Sequence, residues 1–488
     1  MVNLPLLVEC GDRLGSDVFS PARSHLLERE RLTDGAEVDF DEIPAVVDLS
    51  NHTIRPVFID GPRDALGPIK RGASDGVIAE DVEVPGGVFA DDDDPRLVTR
   101  LAAGDGRVDP DDDPHEFRDF PDVPMVVWLR AAAQAANAQN DAALASLSQL
   151  AETGLAFNIA ASPAFAALKA NPRFEPLAQR FAENGAARGI VDLAFAASGL
   201  PNDFVPESIL HDDANDRWLL GSVRHARIDA VDDRGGAYDL VAERSGGLLS
   251  ALGMRLIGDT LWLASAGFPQ TAGIAKQEIG RSGLFEIDAR RGDVRRAWWL
   301  PADGGEHALG DVLLIGSDVY ASDSIGGGVY RLDARRESLQ PVVAPGLLLS
   351  PQGMAEHAGG LIVADYPSGL WRIDVGSGAL RKLRATSSAA LTGIDGLYAH
   401  DGDLIAIQNG TTPKRILRIA LGDDGNAIAR VDVLAQNLLG WGEPSLATVH
   451  DGALYYIANS QWDRFDAAGN LPPAEQLEAP RIMRLRLD

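Results

Sequence analysis

The 488-residue chain has one cysteine, Cys10, so an internal disulfide is excluded. It also lacks long apolar runs: stretches such as "GDVLLIGSDVY" are too short and too interrupted for a membrane-spanning helix. Basic residues are scarce, with 44 Lys and Arg against 72 Asp and Glu, and the formal net charge is −28. Such a surface repels nucleic acid and anionic membranes, so neither is expected as a partner.

More than half of this negative charge lies in residues 1–124, which contain 29 Asp and Glu and 12 Lys and Arg. The segment has Asp runs such as "ADDDDP" and no sustained hydrophobic period, which predicts a disordered acidic region. The N-terminus has no basic stretch before a long apolar core, so no signal peptide is predicted and the expected location is the cytoplasm.

Organised sequence starts near Met125, which raises a second hypothesis for the acidic region. The true start of the protein would then lie close to Met125, and residues 1–124 would be a gene-model extension. In that case a signal sequence could have been missed, and the location would be periplasmic or secreted.

Residues 125–187 are rich in Ala and Leu and predict helices with a break at Asn140-Asp141. Leu144, Leu147 and Leu150 form one apolar stripe. Ser162-Pro163 predicts an N-cap followed by proline in the first helical position. These helical hairpins resemble the closing helices of a tetratricopeptide array. They would form either a small cap that binds a protein partner or a pack docked on the next domain, and the second is favoured because so few repeats make no long groove.

A different repeat starts near residue 188. The phrases "GLFEID", "GVYRLD" and "GLWRID" begin at 283, 328 and 369, a spacing typical of a radial β-repeat. Aligning on this phrase yields six units of four strands each, which predicts a mainly β fold, a six-bladed β-propeller over residues 188–488. The segment "GIVDLAFAASG" is expected to supply the outer strand of the last blade and so close the ring.

In a propeller blade, the start of the first strand and the end of the second strand lie at one mouth of the central channel. Polar residues occur at five of the starts, here called opening positions: Glu207, Asp311, Gln352, Asp395 and Glu443. Blade two has Gly253-Met254 there. The ends of the second strands, here called exit positions, carry Ser222, Ser265, Asp323, Asp365, Asn409 and Asn459. We call this end of the channel the carboxylate mouth and the opposite end the turn mouth.

A ring of carboxylate and amide oxygens without cysteine suits a hard divalent cation, so the sequence predicts a metal site. The candidate ligands are Glu207, Gln352, Asp395 and Asn409. The competing interpretation is that such residues cap loops within their own blades. At the turn mouth, His211, His357, His400 and His450 are expected to be solvated turn residues.

Three segments carry a family resemblance: "VPESILHD", "SPQGMAEHAGGLIVAD" and "GIDGLYAHDGDLIAI". From about residue 200 onward the chain resembles the regucalcin/gluconolactonase (senescence-marker-protein-like) family of six-bladed, calcium-dependent propellers, relatives of the paraoxonases. The resemblance implies that Glu207, Gln352 and Asp395 hold the metal, with Gln352 standing where the family has asparagine. Ala308 and Gly310 stand where the family has an arginine and an asparagine that contact the substrate.

Two functions follow as hypotheses. In the first, the protein is a lactone or ester hydrolase whose metal polarises the carbonyl, with Asp395 or Asp311 as the base for water and His225 or His307 as substitutes. In the second, it is a non-catalytic propeller that binds a ligand or a protein. Retention of Glu207 and Asp395 favours the first, whereas the changes at Gln352, Ala308 and Gly310 favour the second.

Overall fold

The computed structural model describes residues 123–488, except 334, 386–387, 423–424 and 467, together with four short strands nearer the N-terminus. The chain divides into two compact units. The first comprises Met1–Glu152 and Ala156–Glu183, and the second comprises Thr153–Leu155 and Asn184–Asp488. Apart from those short strands, the region predicted to be acidic and disordered lies outside the described residues, as does the hypothesis of a gene-model extension.

The short strands of the first unit form one four-stranded sheet in chain order: β1 Leu7–Glu9, β2 Ala45–Asp48, β3 Thr53–Pro56 and β4 Val82–Glu83. The first pair is parallel and the other two pairs are antiparallel.

The helices of the first unit are α1 Pro124–Ala136, α2 Asn140–Glu152 and α3 Phe174–Asn184, with a 3₁₀ helix at Pro163–Leu168. The predicted stripe is confirmed, because Leu144, Leu147 and Leu150 are all buried in α2. Their core also contains Trp128, which stacks on Phe157 at 5.1 Å between ring centroids.

One detail of the helical prediction is wrong: Asn140 begins α2 instead of breaking a helix, because the preceding helix already ends at Ala136. Ser162 and Pro163 do take the predicted N-cap and first helical positions, but the element is a short 3₁₀ helix and the hydroxyl of Ser162 makes no capping hydrogen bond. One helix pair, a 3₁₀ turn and one further helix do not establish the tetratricopeptide-like arrangement, which stays a prediction.

The second unit confirms the six-bladed propeller. Blade one contains β6–β9: Pro206–Asp212, Arg217–Ser222, Arg227–Val231 and Ala237–Val241. Blade two contains β10–β13: Ser250–Ile257, Thr260–Ala266, Ser282–Asp288 and Val294–Trp299. Blade three contains β14–β17: Leu309–Ile315, Asp318–Asp323, Gly328–Asp333 and Ser338–Val343.

Blade four contains β18–β21: Pro351–His357, Gly360–Asp365, Gly369–Ile373 and Leu380–Lys382. Blade five contains β23–β26, with the two-residue strand β22 added at its outer edge: Ile394–His400, Asp403–Gln408, Arg415–Leu421, Ala427–Gln436 and Arg384–Ala385. Blade six contains β27–β29 and, as its outer strand, β5: Ala447–His450, Ala453–Ile457, Arg481–Arg486 and Asp192–Ala196.

The ring closes inside blade six. Strand β5, from the segment "GIVDLAFAASG", pairs antiparallel with the C-terminal β29, so that Phe195 lies opposite Ile482. This pairing covers the outer edge of β29 and gives β5 the outer position that the fourth strand has in the other blades, as the sequence predicted.

Each pair of neighbouring blades encloses a cluster of buried apolar side chains, and six such clusters run around the described ring. One example joins blades six and one through Phe195, Ile482 and Trp218. Strands such as β7 and β19 are buried along their whole length, because both faces of a blade pack against neighbouring blades, and this burial stabilises the ring. No helix in the described part of the chain is long and apolar enough to cross a membrane.

Candidate functional site

Most of the exit positions cap loops of their own blades. Ser265 and Asp323 accept hydrogen bonds from the backbone N–H groups of Leu249 and Ala308, at 3.0 and 2.8 Å. Asp365 accepts two such bonds, from residues 349 and 350. Ser222 donates to a carbonyl of the loop before blade one, and Asn459 accepts from the N–H of residue 481. The polar atoms of these side chains hydrogen-bond the strand ends to the adjoining loops.

Asn409 differs from the other exit residues. In blade five the loop is held by the preceding residue, Gln408, whose amide donates to the carbonyls of residues 390 and 392. Asn409 instead donates from Nδ2 to Oδ2 of Asp395 at 2.7 Å, and its Oδ1 accepts from the hydroxyl of Tyr366 at 3.1 Å. The structure therefore brings two of the predicted metal ligands, Asp395 and Asn409, into direct contact.

The pKa of the buried Asp395 is strongly shifted. Burial raises its pKa to about 7, the hydrogen bond from Asn409 acts against that rise, and the negative charges of Glu443 and Asp311 add to it. An aspartate shifted this far is still partly protonated at neutral pH. Three acidic side chains from blades three, five and six therefore influence one another at the carboxylate mouth.

Asp311 is buried beside a cation that the sequence analysis did not consider, Arg255 of blade two. Oδ2 of Asp311 accepts hydrogen bonds from the N–H of Met354 at 2.9 Å and from Nη2 of Arg255 at 3.3 Å. The guanidinium of Arg255 also lies 5.7 Å from the ring centroid of Tyr398. Burial raises the pKa of Asp311, and Arg255 offsets part of that rise.

The absence of a polar opening residue in blade two has a steric reason. A Cβ atom on Gly253 would lie 2.6 Å from both Cα and Oδ1 of Asp311. Only glycine lets the first strand of blade two approach Asp311 this closely.

Glu207, predicted as a metal ligand, is held by a side chain from the other end of the domain. Trp462 donates its indole N–H to Oε2 of Glu207 at 2.5 Å. The loop that carries Trp462 joins the second and third strands of blade six and runs past blade one to blade two. There Trp462 packs edge-on against Phe268, and Arg224 donates to the carbonyl of Gly469.

Gln352, the other predicted ligand, is turned toward its neighbours in blades three and four. Its Nε2 donates to the hydroxyl of Ser350 at 3.0 Å, and its backbone carbonyl accepts from Ser322 at 2.7 Å. Its amide oxygen faces Gly310, one of the positions that depart from the family pattern.

The two histidines predicted as substitute bases lie in other surroundings. Nε2 of His225 is 3.1 Å from Oδ1 of Asp203 in the loop before blade one. Nδ1 of His307 is 2.6 Å from Asp323, and the hydrogen bond to this aspartate raises the pKa of His307. A raised pKa keeps an imidazole protonated to higher pH, which makes His307 less suited than Asp395 to accept a proton.

The expectation for the four turn-mouth histidines needs correction. Each lies within its blade's first strand or at its end, and all four are partly buried rather than solvated. A cavity of about 310 Å³ lies at the same end of the channel and is lined in part by His211, Arg255, Glu356 and Tyr398. The carboxylate mouth and this cavity share Arg255.

The residues at the carboxylate mouth fit a divalent cation by charge and donor type. The three carboxyl groups of Asp311, Asp395 and Glu443 are close enough to influence one another, and the guanidinium of Arg255 pairs with one of them, Asp311. Oδ1 of Asp311 is buried with no hydrogen-bond partner in the described chain. In the described residues, the one group of acidic or histidine side chains whose ligand atoms all lie within 4.8 Å of one another is elsewhere. These three carboxylates would therefore bind one ion directly only after some side-chain movement.

Sequence reasoning missed Arg255, Tyr366 and Trp462. Arg255 is one residue beyond the opening position of blade two, so a closer inspection of that strand could have found it. Tyr366 likewise follows an exit position directly. Trp462 has no comparable signal, because its loop joins the site only through the closed ring.

Comparison with known proteins places the propeller among solved structures, although no family model and no curated protein matches the chain. The gluconolactonase from Xanthomonas campestris is 16% identical, with a TM-score of 0.40 over 62% of this chain and 90% of that protein. Aldose sugar dehydrogenase from Streptomyces coelicolor, in its PQQ-bound form, is 15% identical, with a TM-score of 0.40 over 62% and 99%. Virginiamycin B lyase from Staphylococcus aureus is 13% identical, with a TM-score of 0.39 over 59% and 96%. Similarity at this level carries no argument about activity.

Proposed function

We propose that this protein is a divalent-cation-dependent hydrolase that acts on a small-molecule lactone or ester at the carboxylate mouth. The arrangement that supports this most directly is the contact of Asn409 with the buried Asp395 at 2.7 Å, where burial and two neighbouring carboxylates raise the pKa of Asp395 to about 7. Carboxylates whose charges repel one another in a partly buried site are stabilised when a cation binds among them.

Asp395 and Asn409 are the proposed principal ligands, with Asp311 and Glu443 supplying further negative charge. Calcium is the expected ion because the donors are oxygens, and zinc is the alternative. When bound, the cation would polarise the carbonyl of the substrate.

The protein groups then position and activate the attacking water. Asn409 fixes Oδ2 of Asp395, and the hydroxyl of Tyr366 fixes Asn409 in turn. Oδ1 of Asp395 accepts a hydrogen bond from water and takes its proton as the water attacks the carbonyl. His225 and His307 stay predictions as substitute bases, and Glu207 and Gln352 stay predictions as ligands.

The proposal specifies the chemical class of the substrate, a lactone or ester, and not a particular compound. Ala308 and Gly310 replace the substrate-contacting arginine and asparagine of the family that the sequence resembles, and so a sugar lactone is not specified.

Calorimetric titration with Ca²⁺ tests the proposed site. Asp395→Asn removes one charge while its amide oxygen can still accept the bond from Asn409, and we expect Ca²⁺ affinity to fall at least about tenfold. Asp401→Asn is the matched control, because Asp401 lies in the same blade but in the exposed turn at the other mouth. Equal loss in both variants, or no loss in either, would refute the site.

Activity is tested on a panel of lactones and aryl esters, with and without a chelator. We expect hydrolysis that chelation abolishes, that added Ca²⁺ restores, and that Asp395→Asn lowers. Hydrolysis that persists after complete removal of metal would contradict the proposal.

A second candidate function is a non-catalytic propeller that binds a ligand or a protein. The specific observation in its favour is the blade-six loop, which lies over the same mouth. Its Trp462 donates a hydrogen bond to Glu207 and packs against Phe268. Ca²⁺ binding by the wild type without turnover of any panel substrate would favour this alternative.

A further inference from the structure

Two histidines and one aspartate meet at the turn mouth, where the first strands of blades one and six are neighbours. One nitrogen of His211, one nitrogen of His450 and one carboxylate oxygen of Asp213 all lie within 4.8 Å of one another. Oδ1 of Asp213 is 2.6 Å from Nδ1 of His211 and 3.4 Å from Nδ1 of His450. Both rings thus direct the same type of nitrogen at one carboxylate oxygen.

The two imidazoles are held by aromatic neighbours before any ligand binds. Their ring centroids are 4.0 Å apart, and Trp218 packs edge-on against both rings. The side chains of His211 and His450 are 11% and 22% exposed, whereas Asp213 is 79% exposed. The donors are therefore fixed on the protein side and open to solvent on the side of Asp213, where water could complete a coordination shell.

We propose that His211, Asp213 and His450 form a zinc-binding site that joins blade one to blade six. Two imidazoles and one carboxylate with an open position are a donor set that Zn²⁺ accepts, whereas Ca²⁺ prefers oxygen donors. This site is independent of the proposed hydrolase function, because it lies at the opposite mouth and uses different residues.

The required adjustment is small. Two ligands on a tetrahedral zinc ion are about 3.3 Å apart when each bond is about 2.0 Å. The His211–Asp213 pair, at 2.6 Å, must therefore open by about 0.7 Å, whereas the His450–Asp213 pair, at 3.4 Å, already fits. The two imidazole nitrogens lie within 4.8 Å of each other and must close by at most about 1.5 Å. Asp213 is the side chain best able to move, because it is exposed and follows the end of its strand.

Two further carboxylates lie near the cluster, and their negative charge favours a cation there. Oδ1 of Asp216 is 3.9 Å from Nε2 of His211, and Oδ2 of Asp451 is 3.6 Å from Nε2 of His450.

Blades four and five have histidines at the same strand end but no such cluster. Nε2 of His357 is 3.1 Å from the carbonyl oxygen of Gly402, and His400 is 3.5 Å from the exposed Asp401. The seam between blades six and one differs because two imidazoles face each other across it. That seam adjoins the blade in which the N- and C-terminal strands close the ring, so a bound ion would hold the closure together.

The test is calorimetric titration of the full chain with Zn²⁺ in the presence of saturating Ca²⁺, which occupies oxygen sites. We expect one zinc site in the wild type and in His400→Ala, the matched control from blade five. His450→Ala and Asp213→Asn should each weaken it at least about 100-fold, since loss of an outer-shell partner alone costs 10- to 100-fold. Asp213→Asn keeps the result interpretable if His450→Ala fails to fold, because Asp213 is exposed.

Two further measurements separate a built site from adventitious binding. Zn²⁺ should raise the melting temperature of the wild type and of His400→Ala but not of Asp213→Asn, because an ion that binds only the folded state stabilises it. Binding should also weaken at acid pH, because protons compete with the ion for its ligands. No zinc site in the wild type, or the same zinc affinity in Asp213→Asn and His450→Ala as in the wild type, would overturn the proposal.

Discussion

The indole N–H of Trp462 donates to Oε2 of Glu207 at 2.5 Å, which links blade six to the opening position of blade one. The two residues are 255 positions apart in the chain. The carboxylate that the family resemblance identifies as a metal ligand is thus already engaged by a protein donor. The same contact holds the long blade-six loop against the carboxylate mouth.

Replacing Trp462 with phenylalanine should remove the indole donor from Glu207 while keeping an aromatic ring against Phe268. Without this donor the negative charge of Glu207 is less compensated, so we expect Ca²⁺ to bind about threefold to tenfold more tightly, measured by calorimetry. Trp441→Phe is the control, because it also removes an indole hydrogen bond, to Tyr456, at a different place. Unchanged or weaker Ca²⁺ binding in Trp462→Phe would show that the contact does not restrain Glu207.

The raised pKa of Asp395 predicts how stability depends on pH. Between about pH 4 and pH 7 the folded state keeps a proton that the unfolded state has lost, because the pKa rises from 3.8 to about 7 on folding. Stability therefore falls as pH rises through this window. We expect Asp395→Asn to melt a few degrees above the wild type at pH 8 and to approach it near pH 4.

Thermal melts across pH check this, with Asp401→Asn expected to follow the wild type throughout. Saturating Ca²⁺ should remove the advantage of Asp395→Asn at pH 8, because the cation offsets the repulsion among the carboxylates. A constant difference at all pH values would contradict the assignment to Asp395.

Arg255→Met should destabilise the protein because it leaves Asp311 buried without its cation. We expect the free energy of unfolding at pH 8 to fall by about 3 kcal/mol, measured by denaturant titration. The loss should shrink at pH 5, where Asp311 more readily takes a proton, and in the double variant with Asp311→Asn. Arg295→Met, which breaks the exposed pair with Asp288, should cost far less. Equal costs for the two arginines would disprove the special role of Arg255.

Asp365→Ala should separate loop capping from cation binding. It leaves the buried N–H groups of Leu349 and Ser350 without their acceptor, and we expect a loss of about 3 kcal/mol in unfolding free energy. Asp365→Asn keeps one acceptor oxygen and should lose less. Ca²⁺ affinity should not change in the folded Asp365→Asn variant, and a large decrease there would place Asp365 among the ligands.

The sequence was sufficient to predict the repeat, the six blades and the closing strand. A similar local strand pattern recurs at the phrases that end in "EID", "RLD" and "RID", and its spacing marks one blade after another. The propeller topology then assigned Asp311 and Asp395 to one mouth without any coordinates, because every blade has the same direction of its first two strands.

Only the tertiary structure decided which polar atoms meet. In the folded protein, Asp323 and Asp365 accept hydrogen bonds from loop N–H groups. Asp395 accepts a hydrogen bond from Asn409, and Asp311 accepts one from Arg255. The tertiary structure also brought His211 and His450 together across the seam of the ring. A strand pattern reflects which face of a sheet is buried, and this is local. The partner of a side chain depends instead on atoms from distant blades that become neighbours only when the six sheets close into a ring.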